Sequence, residues 1–425
     1  MKVCIKQSML MESLNKGAVA ALSDDAQQDT STHALLIKSI KITADDKNFV
    51  VESGTNFMTV KYSVASKEED GISVKESGCV VVPAKEFYEW TKNSGDSNLK
   101  IELHKLPNPE VVNTVEDSET DDSRKMTIKK IGVVKLSTAK KEKSNKTAGV
   151  WELPCYNPSE LKEIIYGTKS EKQFEIGGSQ LIDALSNVGF VPLAKDWEKY
   201  MDSISIQVHD KNLYFAATDG TRCALYKVPK DEIVEIQSEK PLLIPKSILE
   251  RVAKVINKDD KVSFSYSEDR IYVTQPHLKM RLASPDKTVI DKFPNIKLLL
   301  EKKYVDLVEM NRACLNDLLI YVSIVNSSSA LFTFKKEDNT LIVKAVSDGG
   351  KYSPIAKKAD SLDLSQDARL IWNVGHLIDG LKVAKSDNIM LKIPENLKSV
   401  KVMGKDNENL IYFCMVVENH NYDDV

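Results

Sequence analysis

The sequence predicts an α+β fold made of three tandem copies of one domain. In each copy an alternating apolar run follows an asparagine and leads to a glycine turn, at Gly54, Gly220 and Gly349. After 24 to 29 further residues an apolar strand leads into an amphipathic helix, with the junctions at Pro83, Pro245 and Asn373. A repeat of this length is typical of tandem domains that each bury their own core. The chain has 425 residues and 42% apolar content, which is enough for three such cores.

The repeat also predicts the domain boundaries, at residues 1–166, 174–300 and 305–425. The glycine turns of copies two and three are 129 residues apart, whereas those of copies one and two are 166 apart. The first copy therefore contains an insertion of 37 residues, which we place at about 105–147. This segment is highly charged and poor in apolar residues, so we expect a solvated, mobile loop with no binding role.

Each copy is predicted to contain two helices, one of them at its start, and roughly eight short strands. Segments such as 211–219 and 261–267 alternate apolar and polar residues, as strands with one covered face do. The helix after Pro245 has an apolar stripe that includes Ile248, Leu249 and Val252. Both helices are expected to lie on one side of the sheets.

The opposite stripe of these helices is basic in all three copies. Its residues are Lys85 and Lys92, then Arg251, Lys254 and Lys258, then Lys382 and Lys385. For a single helix, solvated lysines are the ordinary explanation. Recurrence in three copies favours a shared basic lining that attracts phosphates without reading bases. The net charge of −3, from 59 basic and 62 acidic residues, requires any such contact to come from local segregation of charge.

The sequence offers no catalytic constellation. The six cysteines are scattered without a CxxC pair, the six histidines lack metal-ligand spacing, and no phosphate-binding GxxxxGK[ST] loop occurs. Cys223 has no neighbouring histidine, so we expect a packed thiol rather than a nucleophile. We therefore predict a non-catalytic protein without a metal or nucleotide cofactor. The lack of an export signal or long apolar segment predicts a cytoplasmic protein with no membrane contact.

Four segments resemble one family in the family's own order. They are VPAKEFYE at 82–89, ATDGTR at 217–222, FPNIKLLL at 293–300 and WNVGHLIDGLKVAKSDNIMLKI at 372–393. They are similar to segments of the bacterial replicative sliding clamp, the beta subunit of DNA polymerase III. The resemblance implies three DNA-clamp domains per chain and a head-to-tail homodimeric ring around duplex DNA. A clamp-like scaffold that does not encircle DNA, and an uncharacterised hydrolase, remain as alternatives.

The resemblance also implies site residues. DNA polymerase, the clamp loader and other partners would insert a short peptide at Met201, Thr218, Gly220, Arg222, Cys223, Pro245, Ile248, Leu249, Phe413 and Met415. Ile248 and Leu249 could equally be core residues. Tyr200 would touch DNA, or else pack at a strand end. The dimer seam would join Trp151 and Leu153 to Ile324 and Val325 of the other protomer.

Two departures from the family pattern alter the rim of this pocket. Thr221 stands where the family usually has histidine, and residues 416–419 replace the usual Pro-Met-Arg-Leu ending. The basic residue of the family's N-terminal DNA-touching loop is also missing. We therefore expect a changed partner preference and weak direct affinity for DNA.

Overall fold

The computed structural model describes residues 1–31, 33–116, 125–138, 150–160, 172–191, 199–210, 212–228, 241–266, 270–285, 287–304, 306–324, 328–346, 354–394 and 398–417. The chain divides into two compact units. The first contains residues 1–178 and 250–284, and the second contains residues 179–249 and 285–425. The division therefore passes through the second of the three predicted copies. The boundaries of the three copies stay a prediction.

One order of elements occurs three times: strand, helix, four or five strands, helix, three strands. In the first copy the strands are β1 (Lys2–Lys6), β2 (Ser39–Ala44), β3 (Asn48–Gly54), β4 (Met58–Ala65), β5 (Ile72–Glu76), β6 (Gly78–Pro83), β7 (Asn98–Glu116), β8 (Lys125–Thr138) and β9 (Trp151–Tyr156). Its helices are α1 (Gln7–Gly17), α2 (Asp24–Gln28), α3 (Ala34–Ile37) and α4 (Ala84–Asn93).

The second copy and the segment that follows it contain eight strands and four helices within the described ranges. The strands are β10 (Lys172–Gly177), β11 (Ser203–His209), β12 (Asn212–Thr218), β13 (Arg222–Val228), β14 (Leu242–Pro245), β15 (Lys261–Tyr266), β16 (Arg270–Gln275) and β17 (Leu278–Ala283). The helices are α5 (Gly178–Val188), α6 (Lys246–Val255), α7 (Lys287–Ile290) and α8 (Ile296–Leu300), and a short 3-10 helix spans Lys199–Asp202.

The third copy repeats the pattern with nine described strands and two helices. The strands are β18 (Asp306–Asn311), β19 (Ser329–Lys335), β20 (Thr340–Val346), β21 (Ile355–Lys358), β22 (Ser361–Asp363), β23 (Ala368–Asn373), β24 (Asn388–Ile393), β25 (Ser399–Gly404) and β26 (Asn407–Met415). The helices are α9 (Arg312–Ile324) and α10 (Val374–Val383). The helix predicted at the start of each copy is present, and a strand precedes it in all three.

Strand pairing follows the same rule in each copy. The first strand pairs with the first strand after the second helix, as β1–β7, β10–β15 and β18–β24. The next three form a meander, as β2–β3–β4, β11–β12–β13 and β19–β20–β21. All these ladders are antiparallel, which is the α+β arrangement that the sequence predicts.

The copies join by strand addition, and the join has the same form in both units. In the first unit β17, the last strand of copy two, pairs with β4, the third meander strand of copy one. In the second unit β26, the last strand of copy three, pairs with β13, the third meander strand of copy two. The equivalent strand of copy three is β21, and within the described residues it pairs with β20 alone.

Each unit buries apolar helix faces against its sheets. In the first unit α1 and α4 contact each other, and Leu10, Leu14 and Phe87 are fully buried in one cluster with strand residues. In the second unit α10 packs on β26 so closely that a Cβ added at Gly380 would lie 2.6 Å from a ring carbon of Tyr412. Glycine is therefore required at this helix position.

The expectation of a loop at 105–147 is wrong for the part that the structure describes, although residues 107–112 are exposed to solvent as expected. Strands β7 and β8 form one long antiparallel ladder through it, from Leu99↔Thr138 to Glu116↔Lys125. Alternating apolar residues of β8, including the buried Ile128 and Val134, supply a covered face that overall composition conceals. Residues 117–124 and 139–149 lie outside the described ranges.

Of the helices described, none has the length and apolar run that crossing a membrane requires.

Candidate functional site

The turn between β12 and β13 is fixed by its own polar side chains. Asp219 Oδ1 accepts hydrogen bonds from the backbone N–H groups of Thr221 and Arg222, both at 3.0 Å. Thr218 Oγ1 accepts from Gly220 N–H at 3.1 Å and donates to the Arg222 carbonyl at 2.7 Å. Gly220 has φ of 87°, a conformation that favours glycine, and a Cβ there would lie 3.0 Å from Met201 Cε. The turn thus presents a small, rigid surface beside Met201.

Strand β26 ends against this turn. Cys223 and Phe413 are direct partners in the β13–β26 ladder, and Met415 N–H donates to the Thr221 carbonyl at 2.9 Å. On the other side Pro245 pairs with Ser203, two residues beyond Met201. The structure therefore brings together most of the predicted peptide-site residues within the second unit: Met201, Thr218, Gly220, Arg222, Cys223, Pro245, Phe413 and Met415.

Most of these side chains are buried. The residues below one tenth exposure are Met201, Thr218, Arg222, Cys223, Ile248, Leu249 and Phe413. Met415 is 45% exposed, and Pro245, Gly220 and Thr221 are also accessible to solvent. Ile248 and Leu249 thus have the burial of core residues in α6. An incoming group would first meet Met415 and the turn, with the apolar residues behind them.

Cys223 has the environment of a packed thiol. Burial raises the pKa of Cys223 to about 12, with a further increase from the Asp219 charge. The thiol is therefore protonated at neutral pH and is a poor nucleophile.

A buried ion-pair network ties the turn to helix α10. The Arg222 side chain is 2% exposed, and its Nε and Nη1 atoms donate at 2.9 Å to Asp219 and Asp379 respectively. Burial alone lowers the pKa of Arg222, but hydrogen bonds to Asp379, Tyr412 and Asp219 outweigh it and raise the net pKa. Burial likewise opposes ionisation of both aspartates, and their hydrogen bonds hold each pKa below its usual value. All three groups are therefore charged at neutral pH.

The sequence reasoning missed both aspartates of this network. Asp219 could have been found locally, because an aspartate before glycine in a turn commonly accepts backbone hydrogen bonds. Asp379 lies 157 residues from Arg222, and no local pattern links them.

The residues predicted to form the basic helix stripes differ in their surroundings, and the stripe prediction is wrong for Lys258 and Lys385, which follow the ends of α6 and α10. Six of the seven are exposed: Lys85, Lys92, Lys254, Lys258, Lys382 and Lys385. Lys382 contacts Asp379 at 3.2 Å. Arg251 is mostly buried and pairs with Asp25 of α2, so its charge is partly neutralised within the first unit. Tyr200 is half-buried and packs edge-on against Phe293 at 6.4 Å between ring centroids.

The predicted seam residues also differ in exposure. Trp151, at the start of β9, is 51% exposed, whereas Leu153 is buried. Ile324 ends α9 and is 75% exposed, and Val325 lies outside the described residues. The sequence reasoning missed Ile320 and Tyr321, which are also exposed on α9. The exposed residues lie at spacings of three and four, which place them on one helix face.

Within the described ranges, no group of three or more His, Cys, Asp or Glu side chains is arranged to hold a metal ion.

Two curated relatives are similar to the chain in sequence, although no protein-family model matches it. The beta sliding clamp of Halalkalibacterium halodurans is 19% identical over 401 residues, which cover 91% of this chain and 93% of the relative. The beta sliding clamp of Synechococcus elongatus is 19% identical over 281 residues, which cover 64% of this chain and 72% of the relative.

Solved structures match the fold over nearly the whole chain. The DNA polymerase III subunit beta of Pseudomonas aeruginosa has a TM-score of 0.74 at 16% identity. The sliding clamp of Bacillus subtilis has a TM-score of 0.74 at 14% sequence identity, and the polymerase beta subunit of Streptococcus pyogenes has a TM-score of 0.75 at 13% identity. Each match covers 99% of this chain and 100% of the other. The chain is therefore similar in sequence along most of its length, and in fold over nearly its full length, to beta sliding clamps.

Proposed function

We propose that the protein is a DNA sliding clamp, a homodimeric ring that encircles duplex DNA and tethers a polymerase. A clamp loader and other partners would use the same peptide-binding site. Similarity to beta sliding clamps supports the general role, and the repeated strand-addition rule is the observation that supports ring closure most directly.

Among the described residues, the strand-addition rule leaves one donor and one acceptor in each chain. Strand β21 is the third meander strand of its copy and has a free outer edge among the described residues. Strand β9 is the last strand of copy one. It pairs with β8 along its length but meets β6 only at Val81↔Tyr156. As far as the described residues go, the outer edge of β9 from Trp151 to Pro154 is thus unpaired. If β9 of each chain paired with β21 of the other, the two identical joins would close a symmetric ring.

Exposed apolar side chains support the same seam. Trp151 lies on the free part of β9, and Ile324 is at the end of α9. Helix α9 contacts β21 within the third copy, so Ile324 belongs to the element that covers this strand. Large apolar residues are enriched at the centres of stable interfaces. Unpaired strand edges are normally protected by such contacts.

The experiment that tests this seam compares two aspartate substitutions at exposed apolar residues. Ile324→Asp should convert a dimer to a monomer in light scattering, because a charge buried at the seam has no partner. Leu298→Asp is the matched control, since Leu298 is similarly exposed on α8. It should leave the dimer intact. A dimeric Ile324→Asp protein would contradict the proposed seam.

The exposed lysines of α4, α6 and α10 would face the DNA in such a ring. Their attraction to phosphates needs no base contact, so the ring would slide along any sequence. Because Asp25 already pairs with Arg251, this arginine would add little to direct DNA affinity. Retention would then depend on closure of the ring rather than on binding strength.

A partner peptide would bind at the turn of residues 218–222 and the end of β26. Met415 is the exposed apolar anchor point, and the Arg222 network holds the turn in place behind it. A short peptide buries little area and loses conformational entropy on binding, so we expect micromolar affinity.

A further inference from the structure

The turn between β3 and β4 in the first unit repeats the backbone arrangement of the turn at the proposed peptide site. At the end of β17, Ala283 N–H donates to the Phe57 carbonyl at 2.9 Å. The corresponding bond in the second unit joins Met415 N–H to the Thr221 carbonyl, also at 2.9 Å. Phe57 is therefore the counterpart of Thr221, and Ala283 is the counterpart of Met415.

The side chain of Thr55 holds this turn as Asp219 holds the other one. Thr55 Oγ1 accepts hydrogen bonds from the backbone N–H groups of Phe57 at 3.3 Å and Met58 at 3.1 Å. Asp219 Oδ1 accepts from the residues two and three positions after it in the same way. Short polar side chains that accept backbone hydrogen bonds stabilise turns. The first unit thus contains a second fixed turn against which the last strand of a neighbouring copy ends.

Two side chains give the turn of the first unit a different chemistry. Phe57 is 57% exposed, whereas its counterpart Thr221 is polar. On β17, Arg281 is partly exposed and occupies the position that the buried Phe413 has on β26. Thr59 is the direct partner of Arg281 and lies two residues after Phe57. Phe57 and Arg281 are therefore diagonal neighbours, about 7 Å apart, which is within reach of long and aromatic side chains.

Arg281 has no counter-charge beside it. It forms no ion pair with any residue that the structure describes. Its direct partner does not accept a hydrogen bond from it either, because Thr59 Oγ1 is buried without a hydrogen-bond partner. The ladder positions that surround Arg281 on its face of the sheet carry no carboxylate: Thr59, Lys61, Arg270, Tyr272, Thr274, Lys279 and Ala283. A group that contacts Phe57 therefore meets a positive charge beside it.

We infer that Phe57 and Arg281 form a second peptide-binding surface, which takes a segment with an acidic residue two positions from a leucine or another large apolar residue. This inference rests on the proposed peptide site, whose backbone arrangement the surface repeats. In an extended peptide, side chains two positions apart project from the same face and are about 7 Å apart. This spacing matches the diagonal from Phe57 to Arg281. One peptide would thus cover the phenyl ring and place a carboxylate at the guanidinium.

The two surfaces would select different peptides. At the proposed peptide site the position equivalent to Arg281 is the apolar Phe413, and the exposed side chain is the aliphatic Met415. An acidic residue next to the apolar anchor gains a charged partner in the first unit and gains none from Phe413 in the second. Specificity between similar sites is a difference of this kind.

An acidic peptide fits this surface better than a nucleic acid does. A nucleic-acid strand needs cations spaced along a groove that follows its backbone. On this sheet Glu52 is the direct partner of Lys61 and lies 3.6 Å from its ammonium group. A phosphate backbone that extended from Arg281 towards β3 would therefore meet a carboxylate. A short peptide needs only the phenyl ring and the guanidinium.

The test measures fluorescence anisotropy of three labelled peptides with the full-length protein. The first peptide has aspartate and leucine two positions apart, the second has asparagine in place of the aspartate, and the third has aspartate and leucine adjacent. The first should bind about tenfold more tightly than either of the others. The second lacks the charge, and the third projects its two side chains from opposite faces. Equal affinity of the three peptides would overturn the inference.

Two substitutions assign the binding to this surface. Phe57→Thr should weaken binding of the first peptide about tenfold, and Thr221 shows that threonine is compatible with this backbone. Arg281→Gln should remove the difference between the aspartate and asparagine peptides. Arg369→Gln is the matched control, because Arg369 is an exposed strand arginine of β23. Unchanged binding in either Phe57→Thr or Arg281→Gln would contradict the assignment.

Met415→Ala separates this surface from the proposed peptide site. It should leave binding of the first peptide unchanged. Loss of binding in Met415→Ala would assign the peptide to the site in the second unit, and would overturn the inference while leaving that site standing. Binding that survives Met415→Ala and depends on Phe57 would support the second surface whatever the outcome at Met415. If a single-stranded oligonucleotide displaces the peptide and binds Phe57→Thr equally well, the surface is a phosphate site and the inference is wrong.

Discussion

Two sets of facing charges in the sheets of this protein differ in how their signs are arranged. In the first unit Lys2 and Glu102 are 3.7 Å apart, Glu102 is the direct partner of Lys135, and Lys135 lies 3.2 Å from Glu152. Charge thus alternates in sign across β1, β7, β8 and β9. In the second unit Lys392 and Lys401 face each other with the same sign. The first pattern places opposite charges side by side within the sheet, whereas the second places like charges side by side.

This contrast separates cross-strand charges that attract each other from cross-strand charges that repel each other. Exposed pairs contribute little individually, about 0 to 1 kcal/mol, but a row of them favours one register over others. The Arg222 network is the buried extreme of the first class. The effect of each kind of charge on the free energy of unfolding can be compared by three stability measurements and one pH titration.

The largest effect is expected at the buried network. Arg222→Ala leaves Asp219 without its buried counter-charge and detaches the turn from Asp379, so it should destabilise the second unit by about 3 kcal/mol. Urea denaturation measures this change. Lys382→Ala is the control, since Lys382 contacts the same Asp379 from an exposed position and should change stability by less than about 1 kcal/mol. Similar values for both variants would remove the distinction between buried and exposed pairs.

Acid should weaken the same network in the unmodified protein. The pKa values of Asp219 and Asp379 are lowered from the ordinary 3.8 in the folded state. Their contribution is therefore present above pH 3.8 and is lost as pH falls through the lower folded-state values. Arg222→Ala should lose less stability than the unmodified protein over this acid range. An identical acid slope in thermal melts of both proteins would contradict the network's role.

A smaller loss is expected in the alternating row. Glu102→Lys would place three lysines in sequence across β1, β7 and β8, and should destabilise the first unit by about 1 kcal/mol. Glu102→Gln, which removes the attraction without adding repulsion, should have a smaller effect. Thermal melts that rank the two variants in the opposite order would show that the row does not support the fold.

The smallest effect has the opposite sign. Lys392→Glu should stabilise the second unit by about 0.5 kcal/mol, because it converts a repulsive cross-strand pair into an attractive one with Lys401. Loss of stability in this variant would mean that the two like charges are well accommodated in the sheet.

The sequence predicted the repeated elements well because their signals are local. The strand-to-helix junctions expected at Pro83, Pro245 and Asn373 are followed by helices that begin at Ala84, Lys246 and Val374. At each junction an apolar run changes period within a few residues, and this change is visible without knowledge of the tertiary structure.

What the sequence did not predict depends on pairing between distant segments. The charges of residues 105–147 indicated a loop, whereas the β7–β8 register sets Glu110 opposite Lys130 in a strand pair. Lys392 and Lys401 are nine positions apart, and only the β24–β25 register makes them neighbours. Arg222 and Asp379 meet across two elements in the same way. Periodicity identifies a covered face, but the identity of the residue opposite requires the register.

Retention on DNA tests ring closure most directly. Protein assembled on nicked circular DNA should resist a high-salt wash, because counterions compete with phosphate contacts but do not open a ring. Linearising the same DNA should release the protein as it slides off the ends. Ile324→Asp should be lost from both forms. Equal, salt-sensitive loss of the unmodified protein from circular and linear DNA would contradict the clamp and favour a scaffold that does not encircle DNA.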